Sequence, residues 1–295
     1  STQGVSSAAS DVYKRQDLDR LDYSTPEFTK KMVEEGYTIL APQMAREHFR
    51  ILAPVFHQYG INIEFLDTVN DKVLDQGLKY VNNDSCYPSI TVVGQFMEAV
   101  NSGRYDTDKL AIVMTQTGGA CRASNYVGYI RKGLRDAGYP DIPVIAISAQ
   151  GIETNSGFDL RKPSAIPFFK RGFRAIIFGD LINRVSNATR PYEVEKGATD
   201  RLKEDWISRL EVLAPTMTDR EYKAIVKEIV EDFDNIPVKN IKIPKAGIVG
   251  EILVKFLPEA NNNLQKVLEA EGAEVILPLS LIHISEPTRP RLMSY

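Results

Sequence analysis

Three short runs are apolar through their centres with no alternation: YTILAP at Tyr37 to Pro42, LAIVMTQ at Leu110 to Gln116, and PVIAISA at Pro143 to Ala149. A strand with one wet face alternates polar and apolar residues, so runs of this kind need cover on both faces of a parallel sheet. The segments between them supply that cover. Met44 to Tyr59 places Phe49, Leu52, Val55 and Phe56 at helical spacing before Gly60 stops it, and Ser89 to Asn101 and Ser124 to Ala137 read as further helices. Strands alternating with helices predict an α/β fold with a doubly wound parallel sheet over about Tyr37 to Gly157, within a unit taken as residues 17–157.

Smaller elements fill in that unit. Pro26 and Glu27 open a short lead-in helix, Ile61 to Leu66 suits a strand near the sheet edge, and Asp71 to Gly77 reads as a short helix. Leu78 to Val81 then reads as a brief third strand. Pro88 fits the first turn of its helix, where the donor that proline lacks is unpaired anyway.

From residue 158 to 236 the pattern is helical only. Ile166, Phe169, Phe173, Ile177, Leu181 and Val185 form one apolar stripe; Leu202, Trp206, Leu210 and Leu213 a second; Tyr222, Ile225, Ile229 and Phe233 a third. These residues read as core. Pro237 and Pro244 bracket a linker, and residues 237–278 open a second α/β unit: strand Ala246 to Ile248, helix Asn261 to Glu271, strand Ala273 to Leu277.

The ends read differently. Val5 to Gln16 (VSSAASDVYKRQ) and Ser280 to Pro290 (SLIHISEPTRP) resemble translated sequencing adapters, so 1–16 and 279–295 are set aside from fold reasoning. What remains reads as an internal piece of a longer polypeptide. The formal net charge of −3 becomes more negative without these ends, and no basic cluster would track a phosphate backbone, which argues against nucleic acid as a partner. No apolar run reaches the roughly 20 residues that span a bilayer.

The chemistry centres on two cysteines, Cys86 and Cys121, the only two in the chain. Two cysteines make no disulfide framework, and a reducing cytoplasm suits them. Each sits in a polar or glycine-containing segment between a strand and a helix, which maps both to the carboxyl edge of the sheet. Ligands collect at that edge, and helix amino ends there favour anions. The thiolate is the ligating and reactive form of cysteine, so the position suits metal or redox work. Gly118 and Gly119 let the backbone approach a bound group, and Arg122 could balance negative charge. The cysteine spacing matches no zinc finger. His48 reads as a solvated helix residue and His57 as a surface one. No phosphate-binding loop pattern appears.

The stretches KYVNNDSCYPSITVVGQ (Lys79 to Gln95), VMTQTGGACRASNY (Val113 to Tyr126) and GEILVKFLPEANNNLQKVLEAEGAEVILP (Gly250 to Pro278), with PQMAREHFR (Pro42 to Arg50), are similar to the 2-hydroxyglutaryl-CoA dehydratase family. They are most like the dehydratase-like region of long proteins that fuse it to activase-type ATPase domains. The resemblance implies an oxygen-sensitive iron–sulfur cluster held by Cys86 and Cys121, with a third cysteine supplied from a C-terminal domain. It implies electron delivery by an ATP-dependent activase, reduction of an acyl-CoA thioester, loss of its 2-hydroxyl group, and pairing of two α/β subunits as a possible dimer. On this reading the protein is a lyase or an associated reductive component. Two alternatives stay open: a non-catalytic electron-transfer or regulatory module fused to an activase, and a Rossmann-like domain whose cysteines are incidental.

Overall fold

The computed structural model describes residues 24–67, 69–115, 125–147, 155–158 and 165–278. Four strands form one parallel sheet: β1 (Thr38–Ala41), β2 (Ile63–Phe65), β3 (Leu110–Thr115) and β4 (Val144–Ile147), in the order β2-β1-β3-β4. The chain first steps outward from β1 to β2, then returns across β1 to β3. That reversal leaves a switch point between the carboxyl ends of β1 and β3.

Alternation along the strands divides the core in two, because successive side chains point to opposite faces. Leu40, Leu110, Ile112, Met114, Val144 and Ala146 face one layer of helices. Ile39, Ala41, Ala111, Val113 and Ile145 face the other. Over the second face lie α1 (Lys30–Glu34), capped by Thr29, and α2 (Arg46–Gln58), which ends where Gly60 takes a φ of +73°. The first face carries α3 (Asp71–Tyr80), α4 (Tyr87–Asn101) and α5 (Tyr126–Asp136).

The brief strand expected at Leu78 to Val81 is absent. Residues 71–80 form one helix, capped by the Asn70 side chain on Val73 N–H, and Tyr80 closes its last turn. Four residues of weak strand pattern do not outweigh a capped helix with Val73, Gly77 and Tyr80 buried on one side. Helix α4 is buried on nearly every side, from Pro88 to Val100 apart from Glu98, which explains its apolar content around the whole circumference.

The helical segment holds α6 (Ile166–Thr189), α7 (Ala198–Leu213) and α8 (Asp219–Asp234), the last opened by a capping box between Thr218 and Glu221. The expected stripe on α6 is rotated out: Ile166, Phe169 and Phe173 are exposed, at 65%, 50% and 52%. The buried face runs instead through Phe168, Gly172, Ala175, Phe178, Gly179 and Ile182. Its small residues let α2 approach closely; a Cβ on Gly179 would stand 2.5 Å from the His48 ring. Close backbone contact therefore selected the small face over the bulkier one. The α7 and α8 stripes pack around Trp206, with Leu213 left exposed.

The C-terminal residues form β5 (Lys245–Gly247), α9 (Ile252–Phe256), α10 (Leu264–Ala270) and β6 (Glu274–Ile276), with β5 and β6 parallel as the second α/β unit required. Helix α9 was not anticipated. Its Leu253 and Leu257, just beyond it, are fully buried in the same apolar cluster as α4 and α5. Among the described residues no helix is long and apolar enough to cross a membrane.

Candidate functional site

The site is built at the amino end of α4. Cys86 is its N-cap, in extended conformation (φ −64°, ψ 147°), and Pro88 occupies the first turn without leaving a donor stranded. The Cys86 thiol is half-buried and free. One turn on, Ser89 is fully buried and its Oγ lies 3.0 Å from Cys86 Sγ. The three-residue spacing puts both side chains on one side of the helix.

A second element reaches the same sulfur. Tyr126, the first residue of α5 and 4% exposed, places its hydroxyl near Cys86 and Ser89. Burial pushes the phenol well above its usual range, and the nearby Cys86 and Glu251 charges push it further. The hydroxyl therefore stays protonated beside the sulfur. Ser85 adds a long contact, 3.4 Å, to the Tyr129 hydroxyl one turn along α5. Glu251, the N-cap of α9, brings the C-terminal unit to the same place.

Of the residues singled out from sequence, Cys86 lies at this site. Cys121, Gly118, Gly119 and Arg122 lie outside the described residues. Tyr126 follows Cys121 by five residues, a span of at most about 18 Å of extended chain. The described residues contribute one sulfur, and among them no group of three or more His, Cys, Asp or Glu side chains converges as a metal site. A half-buried thiol at a helix amino end, with the Ser89 hydroxyl on its sulfur, is the donor type an iron–sulfur cluster takes. Cys86 fits that role, and any further ligands lie beyond the described part.

The switch point is shaped by two more features. Gln95, buried inside α4, grips the chain as it leaves β1: its Oε1 accepts from Gln43 N–H at 2.9 Å and its Nε2 donates to Gln43 O at 3.3 Å. The Gln43 side-chain Oε1 is buried and has no hydrogen-bond partner among the described residues. Beside it, an apolar cavity of about 150 Å³ opens where the carboxyl ends of the strands meet α2. Met44 lines this cavity and also packs on the apolar cluster that includes Cys86.

Sequence reasoning missed Ser89, Tyr126 and Gln95. The usable signals were a serine one helical turn after Cys86, a tyrosine opening the helix after Cys121, and a lone amide in an apolar helix. It also misplaced His48, which is not solvated. His48 is 2% exposed and its Nε2 lies 2.9 Å from Asp180 Oδ1 of α6. Period alone put it on a helix that seemed to have a wet face, and the face is covered by α6. His57 is exposed, as expected, with Nε2 2.9 Å from Ile63 O.

A polar cleft of about 350 Å³ separates the helical segment from the C-terminal unit, with Arg46, Arg190, Lys203 and Lys255 on its walls. Three of these cations are ion-paired: Arg46 bridges Asp67 and Glu259, Arg190 bridges Asp200 and Glu269, and Lys203 meets Glu47 at 2.7 Å, while Lys255 Nζ donates to Pro278 O at 2.8 Å. Compared with known proteins, the chain matches no protein-family model, no curated protein and no solved structure.

Proposed function

We propose that this chain is the cluster-bearing region of a 2-hydroxyacyl-CoA dehydratase-like reductive system, with Cys86 and Cys121 as sulfur ligands and an ATP-dependent activase as electron donor. The observation that supports it is the half-buried Cys86 thiol at the amino end of α4, with Ser89 on its sulfur and Tyr126 of α5 in the apolar cluster it packs against, at the carboxyl edge of a doubly wound sheet. That packing draws together the two helix amino ends that follow the two cysteine segments.

When bound, the cluster supplies one electron at a time to a substrate thioester. The residues of this chain have separate tasks. Cys86 holds iron. Ser89 fixes the direction of its sulfur, and Tyr126 packs beside it. The positive end of the α4 dipole complements the negative charge of a sulfur-rich group. Tyr126, Ile90 and the apolar cluster behind them keep water from the inner side. Gln95 holds the β1 exit in place, so that the edge keeps its shape. The apolar cavity at the same edge favours a system that also binds an acyl group over a bare electron-transfer module.

The test is iron and acid-labile sulfide in the protein purified without oxygen, beside Cys86→Ala and Cys121→Ala. Iron in the parent and loss of it in both variants supports the reading. Iron absent from the parent, or retained by both variants, sinks it.

A further inference from the structure

Lys255 of α9 stands on the wall of the polar cleft between the helical segment and the C-terminal unit. It is 8% exposed, and among the described residues no carboxylate lies within ion-pair distance of its Nζ. The Nζ instead donates to Pro278 O at 2.8 Å and lies 4.4 Å from the centre of the Phe256 ring. An ammonium held by one carbonyl and a ring face is poorly compensated for its lost water, which favours the neutral amine. Burial pushes the Lys255 ammonium below its usual range, against the pull of the Asp180 and Glu251 charges. A neutral amine has the lone pair a nucleophile needs, and lysines that form imines with carbonyl compounds are activated in this way.

Room for a ligand and groups to hold it lie in the same cleft. Its volume of about 350 Å³ suits a small metabolite. Asn183, one turn along α6 from Asp180, lines it too; the residue is 5% exposed, and its carboxamide has no hydrogen-bond partner among the described residues. A buried amide in that state calls for a partner from a ligand or from water. Lys266 of α10, exposed on the cleft wall, is paired with no carboxylate among the described residues, whereas Arg46, Arg190 and Lys203 are each held by one or two.

We infer that Lys255 is the imine-forming amine of a second ligand site, and that the site takes a small polar aldehyde carrying an anionic group. The amine nitrogen adds to the carbonyl carbon, and the resulting carbinolamine loses its oxygen as water, so that amine and aldehyde become imine and water with no change of oxidation state. Asn183 supplies N–H donors for the oxygen of the aldehyde, and Lys266 a cation for its anionic group. Neither Cys86 nor a cluster takes part, so the site stands or falls apart from the function proposed above.

The experiment uses the whole chain at neutral pH. The protein is incubated with 4-carboxybenzaldehyde, cyanoborohydride reduces any imine to a secondary amine, and peptide mass spectrometry gives the modified fraction at each lysine. Lys255 should be modified at least about tenfold more than exposed lysines such as Lys72 and Lys223, the gain in neutral amine that one unit of lowered pKa brings. The uncharged 4-(hydroxymethyl)benzaldehyde, scaled to its labelling of the same exposed lysines, should modify Lys255 about two- to fivefold less, as one exposed ion contact allows. Lys266→Ala, a surface change, should erase that difference and leave labelling by the uncharged aldehyde as it was. Labelling of Lys255 no greater than that of Lys72 and Lys223 overturns the site, and this readout on the parent needs no variant to fold. Equal scaled labelling by the two aldehydes, or a difference that survives Lys266→Ala, overturns the anionic part of the ligand.

Discussion

Helix α4 carries Cys86, and its position depends on two glycines that let it lie almost backbone to backbone on α3. A Cβ on Gly94 would stand 2.0 Å from Val73 O and 3.0 Å from Gly77 N; one on Gly77 would stand 2.2 Å from Ile90 O. The obstructing atoms are main chain, so no rotamer change relieves the clash. Gly94→Ala therefore forces the helices apart by roughly 1 Å or more, at an overpacking cost of about 3 kcal/mol. Alanine returns about 1 kcal/mol through better helix propensity. The net expectation is a loss of about 2 kcal/mol. Gly128→Ala is the internal control: it lies in α5, is exposed, and has nothing within 4 Å of the added carbon. It keeps the propensity gain without the clash and should stabilise by about 0.5–1 kcal/mol. Urea denaturation followed by circular dichroism reads both. The two substitutions must move the midpoint in opposite directions. A Gly94→Ala protein as stable as the parent, or more so, would refute the claim that backbone contact fixes α4.

Three further predictions follow from local chemistry. Burial by itself pushes the Glu47 carboxyl up, but the Lys203 ammonium at 2.7 Å prevails and holds it at about 2, against an ordinary value of 4.5. A depressed carboxylate stabilises the fold fully above its unfolded pKa, and that contribution drains away as pH falls from about 4.5 towards 2. With 22% of the side chain still exposed, it amounts to about 1–2 kcal/mol, and the gap in stability between the parent and Glu47→Gln should shrink across that window in acid titrations of unfolding. Trp206 is the only tryptophan, fully buried, with Nε1 donating to Asp232 at 3.0 Å and the Arg209 guanidinium 3.7 Å above its ring. Trp206→Phe should cost about 1–3 kcal/mol by leaving Asp232 short of a donor; in the parent, tryptophan fluorescence and circular dichroism should report one urea transition, since α2 contributes Ile51 and Val55 to the helical core while Phe56 packs on both cores. On the proposed cluster reading, Tyr126→Phe removes a hydroxyl beside the Cys86 sulfur and should leave iron content intact while moving the midpoint potential to more negative values in an EPR-monitored titration; an unchanged potential would mean the hydroxyl only packs.

The strands and their parallel arrangement were legible because a doubly covered sheet leaves a strong local mark: unbroken apolar runs at β1, β3 and β4. The edge position of β2 showed in its partial alternation. What was not legible depended on contacts between distant segments. The burial of His48 requires Gly179 to sit against its ring. The buried face of α6 was set by glycine and alanine meeting α2, whereas a hydrophobic count favours Phe169 and Phe173, which the structure leaves exposed. Cys86 could be placed at a helix amino end from Pro88 and the following pattern. That Tyr126 would reach its sulfur could not, because the contact depends on how α4 and α5 lie side by side, and no spacing within one segment encodes that.

The same contact bears on how the C-terminal unit should be regarded. Read along the sequence, residues 237–278 open a separate domain after a proline-bounded linker. In space they complete the wall behind Cys86. Glu251 at the head of α9 lies close enough to Tyr126 to raise its phenol, and Leu253 and Leu257 are buried to the last atom in the cluster that includes Val92, Phe96 and Ile130. Each fully buried leucine contributes about 1.5–3 kcal/mol, so detaching α9 would expose the flank of α4 and loosen the helix end that positions the thiol. Arg46 to Glu259 and Arg190 to Glu269 tie the same unit to α2 and to the end of α6, but partly exposed ion pairs of this kind add little by comparison. The attachment is therefore apolar first and ionic second. It makes the second α/β unit part of the architecture that holds Cys86, and high salt should leave it in place.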